Sequence, residues 1–152
     1  MMFRLSPRSK ANLVGVEGSL VSVVERAIDV TPIDFGVICG LRTEAEQTAL
    51  YNKGASQIKM DGPHTRGQAV DLMAYIGGRA CWELAVYDNI ADVMRDAAIE
   101  EDISIRWGCC WHIPDIRLHS GTMEEAMNEY IDLRRSEGRR PFLDGPHFEL
   151  SG

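Results

Sequence analysis

Apolar residues recur every three to four positions between Leu13 and Ile28 (Leu13, Val16, Leu20, Val24, Ala27, Ile28), which predicts an amphipathic helix with one buried stripe. Thr31-Pro32 ends it, because proline lacks a backbone donor and restricts the residue before it. Phe35 to Cys39 reads as a short buried strand closed by Gly40. Thr43 followed by Glu46 is a capping box, so a helix is expected from about Glu44 to Asn52, stopping at Gly54. Arg42 falls at this strand-to-helix junction, a place from which a side chain can enter a cleft. The polar stretch from Ala55 to Pro63 reads as a loop that delivers His64 to a second strand-like run ending in Ala69 to Ala74, with Gly67 as the bend.

Gly77-Gly78 breaks that run, and Trp82, Ala85, Ile90, Val93, Met94 and Ala97 mark the stripe of a second long helix. Ile103 to Trp107 alternates with period two and predicts a strand. Thr122 with Glu125 opens a further helix to about Glu137, stopped by Gly138. A last strand, Pro146 to Leu150, puts His147 and Glu149 on one face and Phe148 and Leu150 on the other. Helices and strands mix without regular βαβ units, so the expected class is α+β: a small antiparallel sheet flanked by helices.

Two stretches carry chemistry beyond this pattern. His64 and Asp71 bracket the run before the second strand, and Asp144 stands three residues ahead of His147 near the end. Both histidines follow a glycine-proline pair and so enter strands from loops, where sites concentrate on a rigid scaffold. Two imidazoles and a carboxylate with one open position suit a catalytic zinc, whereas structural zinc sites are closed by four ligands. Asp144 is then the candidate general base and Arg42 the candidate cation for a substrate carboxylate or a developing oxyanion. The implied reaction is metal-assisted hydrolysis of an amide. H-x6-D also recurs by chance, and the same side chains read equally as hydrogen-bonded or solvated polar groups.

Composition narrows the partners. At 152 residues, 45% hydrophobic and 26% charged, the chain has the makeup of one globular domain, 1–152, large enough to bury a core without a metal or disulfide staple. A net charge of -7 disfavours nucleic acid as a partner. The amino terminus lacks the apolar run of a signal peptide, and no stretch is long enough to insert in a membrane. Cys39, Cys81, Cys109 and Cys110 show no C-x-x-C spacing and are expected as free thiols of a reducing compartment. The Arg134-Arg135 and Arg139-Arg140 pairs form a small basic patch that could touch an anionic cell wall, or simply complement a helix end.

Gly40-Leu41-Arg42-Thr43-Glu44, Leu50-Tyr51, Gly54-Ala55-Ser56-Gln57, His64-x-x-Gly67-x-Ala69-Val70-Asp71, Trp107-Gly108 and Asp144-Gly145-Pro146-His147-Phe148-Glu149 occur in the order found in the VanY-like zinc peptidases. From about Leu13 to Leu150 the chain resembles their L-alanyl-D-glutamate peptidase branch, used by tailed bacteriophages as endolysins. The resemblance implies a D-Ala-D-Ala peptidase/hedgehog-like fold, zinc held by His64, Asp71 and His147, Asp144 as catalytic base, and Arg42 at the substrate or transition state. It places Ser56 and Gln57 among the polar substrate contacts, and Trp107 and Trp111 are candidates to line the cleft. It implies a peptidase that cuts the peptidoglycan stem peptide between L-alanine and D-glutamate; monomer is the default expectation, and the lack of a signal peptide places its synthesis in the host cytoplasm. Such an enzyme reaches the wall after a membrane breach and has no separate wall-binding domain.

Two departures stand out. Relatives carry W-G-G-D-W where this chain has Trp107-Gly108-Cys109-Cys110-Trp111, and a serine two places before the first histidine where it has Gly62. The rival readings are a D-alanyl-D-alanine carboxypeptidase and a zinc-bearing protein that binds wall peptides without cutting.

Overall fold

A computed structural model describes residues 2–55 and 62–151. Ser56 and Gln57 lie outside the described residues. Among the described residues five helices and five strands follow one another: α1 (Pro7–Asn12), α2 (Gly18–Val30), β1 (Asp34–Cys39), α3 (Glu44–Asn52), β2 (Ala69–Ile76), β3 (Arg79–Cys81), α4 (Leu84–Glu101), β4 (Ile105–Gly108), α5 (Met123–Ser136) and β5 (Asp144–Leu150). A 3-10 turn at Ile116–Leu118 lies between β4 and α5.

The sheet is antiparallel throughout, with strand order β1-β2-β5-β4. β3 adds to the far end of β2 through a hairpin whose two central residues, Gly77 and Gly78, both have positive φ (58° and 78°). Along β2, Val70, Leu72 and Ala74 point to the buried face, while Asp71 lies on the opposite face. The buried face packs with α2 and α4 into one hydrophobic cluster that includes Leu20, Val24, Phe35, Leu72, Ile90, Met94, Trp107 and Phe148. Fully burying an aliphatic or aromatic side chain of this size is worth about 1.5–3 kcal/mol. The other face is left to the polar residues of β2 and β5.

Both capping boxes form, Thr43 with Glu46 and Thr122 with Glu125. The first helix differs from the expected one. Gly15, at φ 87°, breaks the Leu13-to-Ile28 periodicity, so Leu13 and Val16 are buried in a turn and α2 begins only at Gly18. The preceding α1 has a signature that periodicity does not detect: Ser6 caps it and Pro7 opens it. Its job is local. Ser9 Oγ accepts a hydrogen bond from the Val37 amide (2.9 Å), and Asn12 Nδ2 donates to the Val37 carbonyl (2.7 Å), covering the outer edge of β1.

The stripe of the second long helix also starts later than expected. Trp82 precedes α4, is 56% exposed and stacks on Tyr87, and Ala85 is exposed. The Tyr87 ring is buried and its hydroxyl spans two strands, accepting from the Ala74 amide and donating to the Cys81 carbonyl. Among the described residues, no helix is long and apolar enough to cross a membrane.

Candidate metal centre and active-site cleft

Strand register brings the first site residues together. Asp71 of β2 pairs with His147 of β5 on one side and with Cys39 of β1 on the other, so the three form a row across the sheet. The β1 partner is Cys39 because the register shifts between Val37 and Cys39, skipping Ile38. His64 enters from the turn before β2. That turn is closed by Thr65, whose hydroxyl donates to the Gly62 carbonyl (2.8 Å) and accepts from the Gly62 amide (2.9 Å). Gly67, at φ 69°, lies against the Gly15 carbonyl with no room for a Cβ.

The hydrogen bonds leave the imidazoles little choice. His64 Nδ1 lies 2.9 Å from the Gly40 carbonyl, which can only accept, so that nitrogen carries a proton and Nε2 is directed at Asp71 Oδ2, 3.3 Å away. His147 Nε2 lies 2.7 Å from Glu149 Oε1, and its Nδ1 lies 3.2 Å from Asp71 Oδ1. Each imidazole thus faces Asp71 with one nitrogen while an acceptor behind it fixes the other, the arrangement that outer groups impose on metal-binding histidines.

Without a cation between them, lone pairs on nitrogen and carboxylate oxygen would oppose each other, and a proton has to fill the gap. Burial works to lower the His64 pKa, but its hydrogen bonds to Asp71 and Cys39 outweigh this and hold it up to about 10. His147 is likewise lowered by burial and raised, on balance to about 9, by hydrogen bonds to Asp71 and Glu149. Burial would raise Asp71, yet the two histidines hold it well below the usual carboxylate range. Donor atoms of Cys39, His64 and Asp71 lie within 4.8 Å of one another, as do those of Asp71, Asp144 and His147. The two sets share Asp71, and their nitrogen, oxygen and sulfur donors are compatible with a metal.

Asp144 stands at the start of β5, opposite Gly108 in the β4 register. A Cβ at Gly108 would lie 2.2 Å from the Asp144 carbonyl, so only glycine lets the strands approach so closely there. Burial, and then the charge of Asp71, raise the Asp144 pKa, giving a stronger base than an ordinary carboxylate. Arg42 leans over the same centre, donating to Gln47 Oε1 (2.7 Å) and Cys39 Sγ (3.1 Å), with Asp71 Oδ2 at 3.7 Å. Cys39 is pushed up by burial, but hydrogen bonding to and the charge of His64 bring it down on balance.

A cleft of about 630 Å3 opens over these residues. One wall carries Arg42, Gln47 and Leu50; the opposite wall carries Arg106, Trp111, Tyr130, Arg134, Arg139 and Phe142. Trp107 does not belong to it. Its side chain is fully buried against Phe148 and its indole donates to the Gly145 carbonyl (2.8 Å), so the expected substrate contact is corrected to a brace beneath the Asp144-to-His147 segment. Trp111 does line the cleft, with its ring 5.5 Å from that of His147.

Cys109 and Cys110 are free and fully buried, and burial pushes Cys110 up to about 12, which suits inert core thiols. His119 pairs with Glu129 (3.1 Å), accepts from the Gly121 amide, and keeps only 11% of its side chain exposed. Cys39, Gln47 and Glu149 are site residues that sequence reasoning did not assign. Only Glu149 had a visible signal, its two-residue spacing from His147 on one strand.

The family model for phage L-alanyl-D-glutamate peptidase matches residues 1–151. The chain belongs to the phage L-alanyl-D-glutamate peptidase family. It is 29% identical over 153 residues to the L-alanyl-D-glutamate peptidase of Escherichia phage T5, covering 99% of both chains. Its fold is similar to the crystal structure of the Serratia marcescens L-Ala D-Glu endopeptidase ChiX, with a TM-score of 0.73 and 31% identity over 99% of this chain and 91% of that one. The antiparallel sheet with flanking helices is therefore a peptidase fold of this family, as the motif order implied.

Proposed function

We propose that this chain hydrolyses the L-alanyl-D-glutamate bond of the peptidoglycan stem peptide with zinc held by His64, Asp71 and His147. The observation that carries the reading is Asp71 set between two imidazoles that both face it, with Asp144 alongside in an open cleft. Zinc suits two imidazoles and a carboxylate, and when bound it supplies a Lewis acid that polarises a carbonyl and makes water acidic near neutral pH.

The chain's own groups do the rest. Asp144, its pKa raised, accepts the proton of the attacking water and returns it to the departing D-glutamyl amine, completing general base and general acid steps with one carboxyl group. Arg42, steadied by Gln47, presents its remaining N–H groups to the oxygen that gains charge as the carbonyl turns tetrahedral. Glu149 and the Gly40 carbonyl keep the imidazoles aimed. Ser56 and Gln57 are proposed as further polar contacts to the stem peptide.

In this reading the chain acts as a monomeric catalytic domain. Its role is endolysin-type, made in the host cytoplasm and reaching the wall after the membrane is breached. The test is mass analysis of purified peptidoglycan after digestion, with metal content measured on the same preparation. New L-alanine carboxyl ends and D-glutamate amines are expected together with one zinc per chain. Released D-alanine would instead indicate a carboxypeptidase, and zinc without new termini a binding protein.

A further inference from the structure

The cleft walls differ in how their cations are matched. Arg42 is engaged with Asp71 and Gln47, and Arg26, Arg95 and Arg117 pair with acids elsewhere. Among the described residues, no carboxylate forms an ion pair with Arg106, Arg134 or Arg139, the three arginines of the opposite wall. Acids outnumber basic residues 23 to 16 in the chain, yet no described carboxylate is drawn to these three.

Neutral groups hold the first two in place. Arg106 donates to the Trp111 carbonyl and lies over the indole, 5.4 Å from its centroid, while its buried Nε has no partner among the described residues. Glu149 is its cross-strand neighbour but is turned to His147 instead. Arg134 donates through Nε and Nη2 to the Arg140 carbonyl (3.3 and 3.1 Å) and sits 5.9 Å over the Tyr130 ring. Carbonyls and rings orient a guanidinium without neutralising it. Trp111 links this wall to the metal centre, since one face is close to Arg106 and the ring also approaches His147.

We propose that Arg106, Arg134 and Arg139 form a carboxylate-reading subsite that selects substrates with a free carboxylate on the D-glutamyl side of the scissile bond. The inference rests on the function proposed above. A D-glutamyl residue joined through its amine to L-alanine has two carboxyl groups, and the onward peptide takes up at most one. One carboxylate therefore remains within a residue's length of the bond that breaks, roughly 3.5 Å of chain per residue. The planar fork of arginine matches it in bidentate fashion, and because no described carboxylate pairs with these three arginines, with Glu149 turned to His147, their charge is left for the substrate.

The test uses the full chain loaded with zinc and two synthetic stem peptides that share the L-alanyl-D-glutamate bond. They differ only in the unused glutamyl carboxyl, free in one and carboxamide in the other. The unsubstituted enzyme is expected to favour the carboxylate peptide by about 10–100-fold in kcat/KM, the range of a charge-assisted hydrogen bond. Arg106→Gln and Arg134→Gln are each expected to shrink that ratio several-fold, mainly through KM, and Arg106→Lys to restore part of it. Because a ratio between two substrates does not depend on how much enzyme is folded, partial misfolding cannot mimic the result. A ratio near one in the unsubstituted enzyme, or one unmoved by both glutamine variants, overturns the proposal. Failure to cut either peptide at this bond would instead remove the function on which it rests.

Discussion

Asp71 Oδ1 and His147 Nδ1 face each other 3.2 Å apart as register partners on β2 and β5, so the pairing that builds the sheet also assembles the candidate metal centre. One-residue slippage of β5 would turn His147 to the core face and leave Asp71 without it. The site is thus as well defined as the sheet that carries it, and catalytic geometry on strands is less prone to drift than on loops.

His147→Ala is expected to abolish zinc retention in elemental analysis of dialysed protein. If zinc is held as proposed, saturating it at about 100 times its dissociation constant would add about 2.7 kcal/mol to the folded state, a rise of roughly 5–10 °C in Tm for a chain of this size. The variant should lose this response. A melting point that still climbs with zinc in His147→Ala would take that imidazole out of the ligand set.

Asp144→Ala separates metal binding from turnover. It is expected to keep zinc and to lose about 10²–10⁴-fold in kcat, the usual share of acid–base help. Wall lysis at the original rate would show that another group handles the proton.

Gly108→Ala tests the close approach of β4 to β5. A methyl group there would sit 2.2 Å from the Asp144 carbonyl, so the strands must part. A loss of about 1–3 kcal/mol in urea unfolding is expected, with a fall in turnover as Asp144 shifts. Unchanged stability and rate would mean that the strand end yields freely.

Asp88 lies outside the active site and gives a pH signature. It is buried on α4, its Oδ2 has no hydrogen-bond partner among the described residues, and its pKa is pushed up to about 6 by burial and by the charges of Glu124 and Asp92. The folded state therefore binds this proton more tightly than the unfolded chain does, and stability falls as pH rises from about 4 to 6. Asp88→Asn is expected to raise stability by on the order of 1–2 kcal/mol at pH 7.5 and to make little difference at pH 4. Equal gains at both pH values in chemical denaturation would rule out ionisation as the cause.

What could be read from the chain beforehand follows from how local each signal is. Thr43 with Glu46, and Thr122 with Glu125, form reciprocal bonds within four residues, so their helices began where expected. His64, Asp71, Asp144 and His147 were legible as residue types with spacing and motif order. Their meeting depends on the β2–β5 register, a contact across 76 positions that no local pattern states. Gly15 and α1 were missed because a turn can bury Leu13 and Val16 as well as a helix can, and periodicity does not separate the two. Trp107 was assigned to the cleft from its place at a strand end, but alternation on β4 turns it inward, beside Ile105 on the buried side, while Arg106 faces out to the cleft. Cys39 joined the site only through a register shift, which leaves no trace in composition.

The short helix α1 contributes no side chain to the candidate metal centre, yet it reaches that centre at second hand. Asn12 clasps Val37, and its own carbonyl lies against Gly40, where an added Cβ would come within 2.1 Å. Gly40 in turn supplies the oxygen that orients His64. Trimming the protein back past Asn12 would accordingly blunt catalysis remotely, since the imidazole would lose its aim while every coordinating side chain was still present.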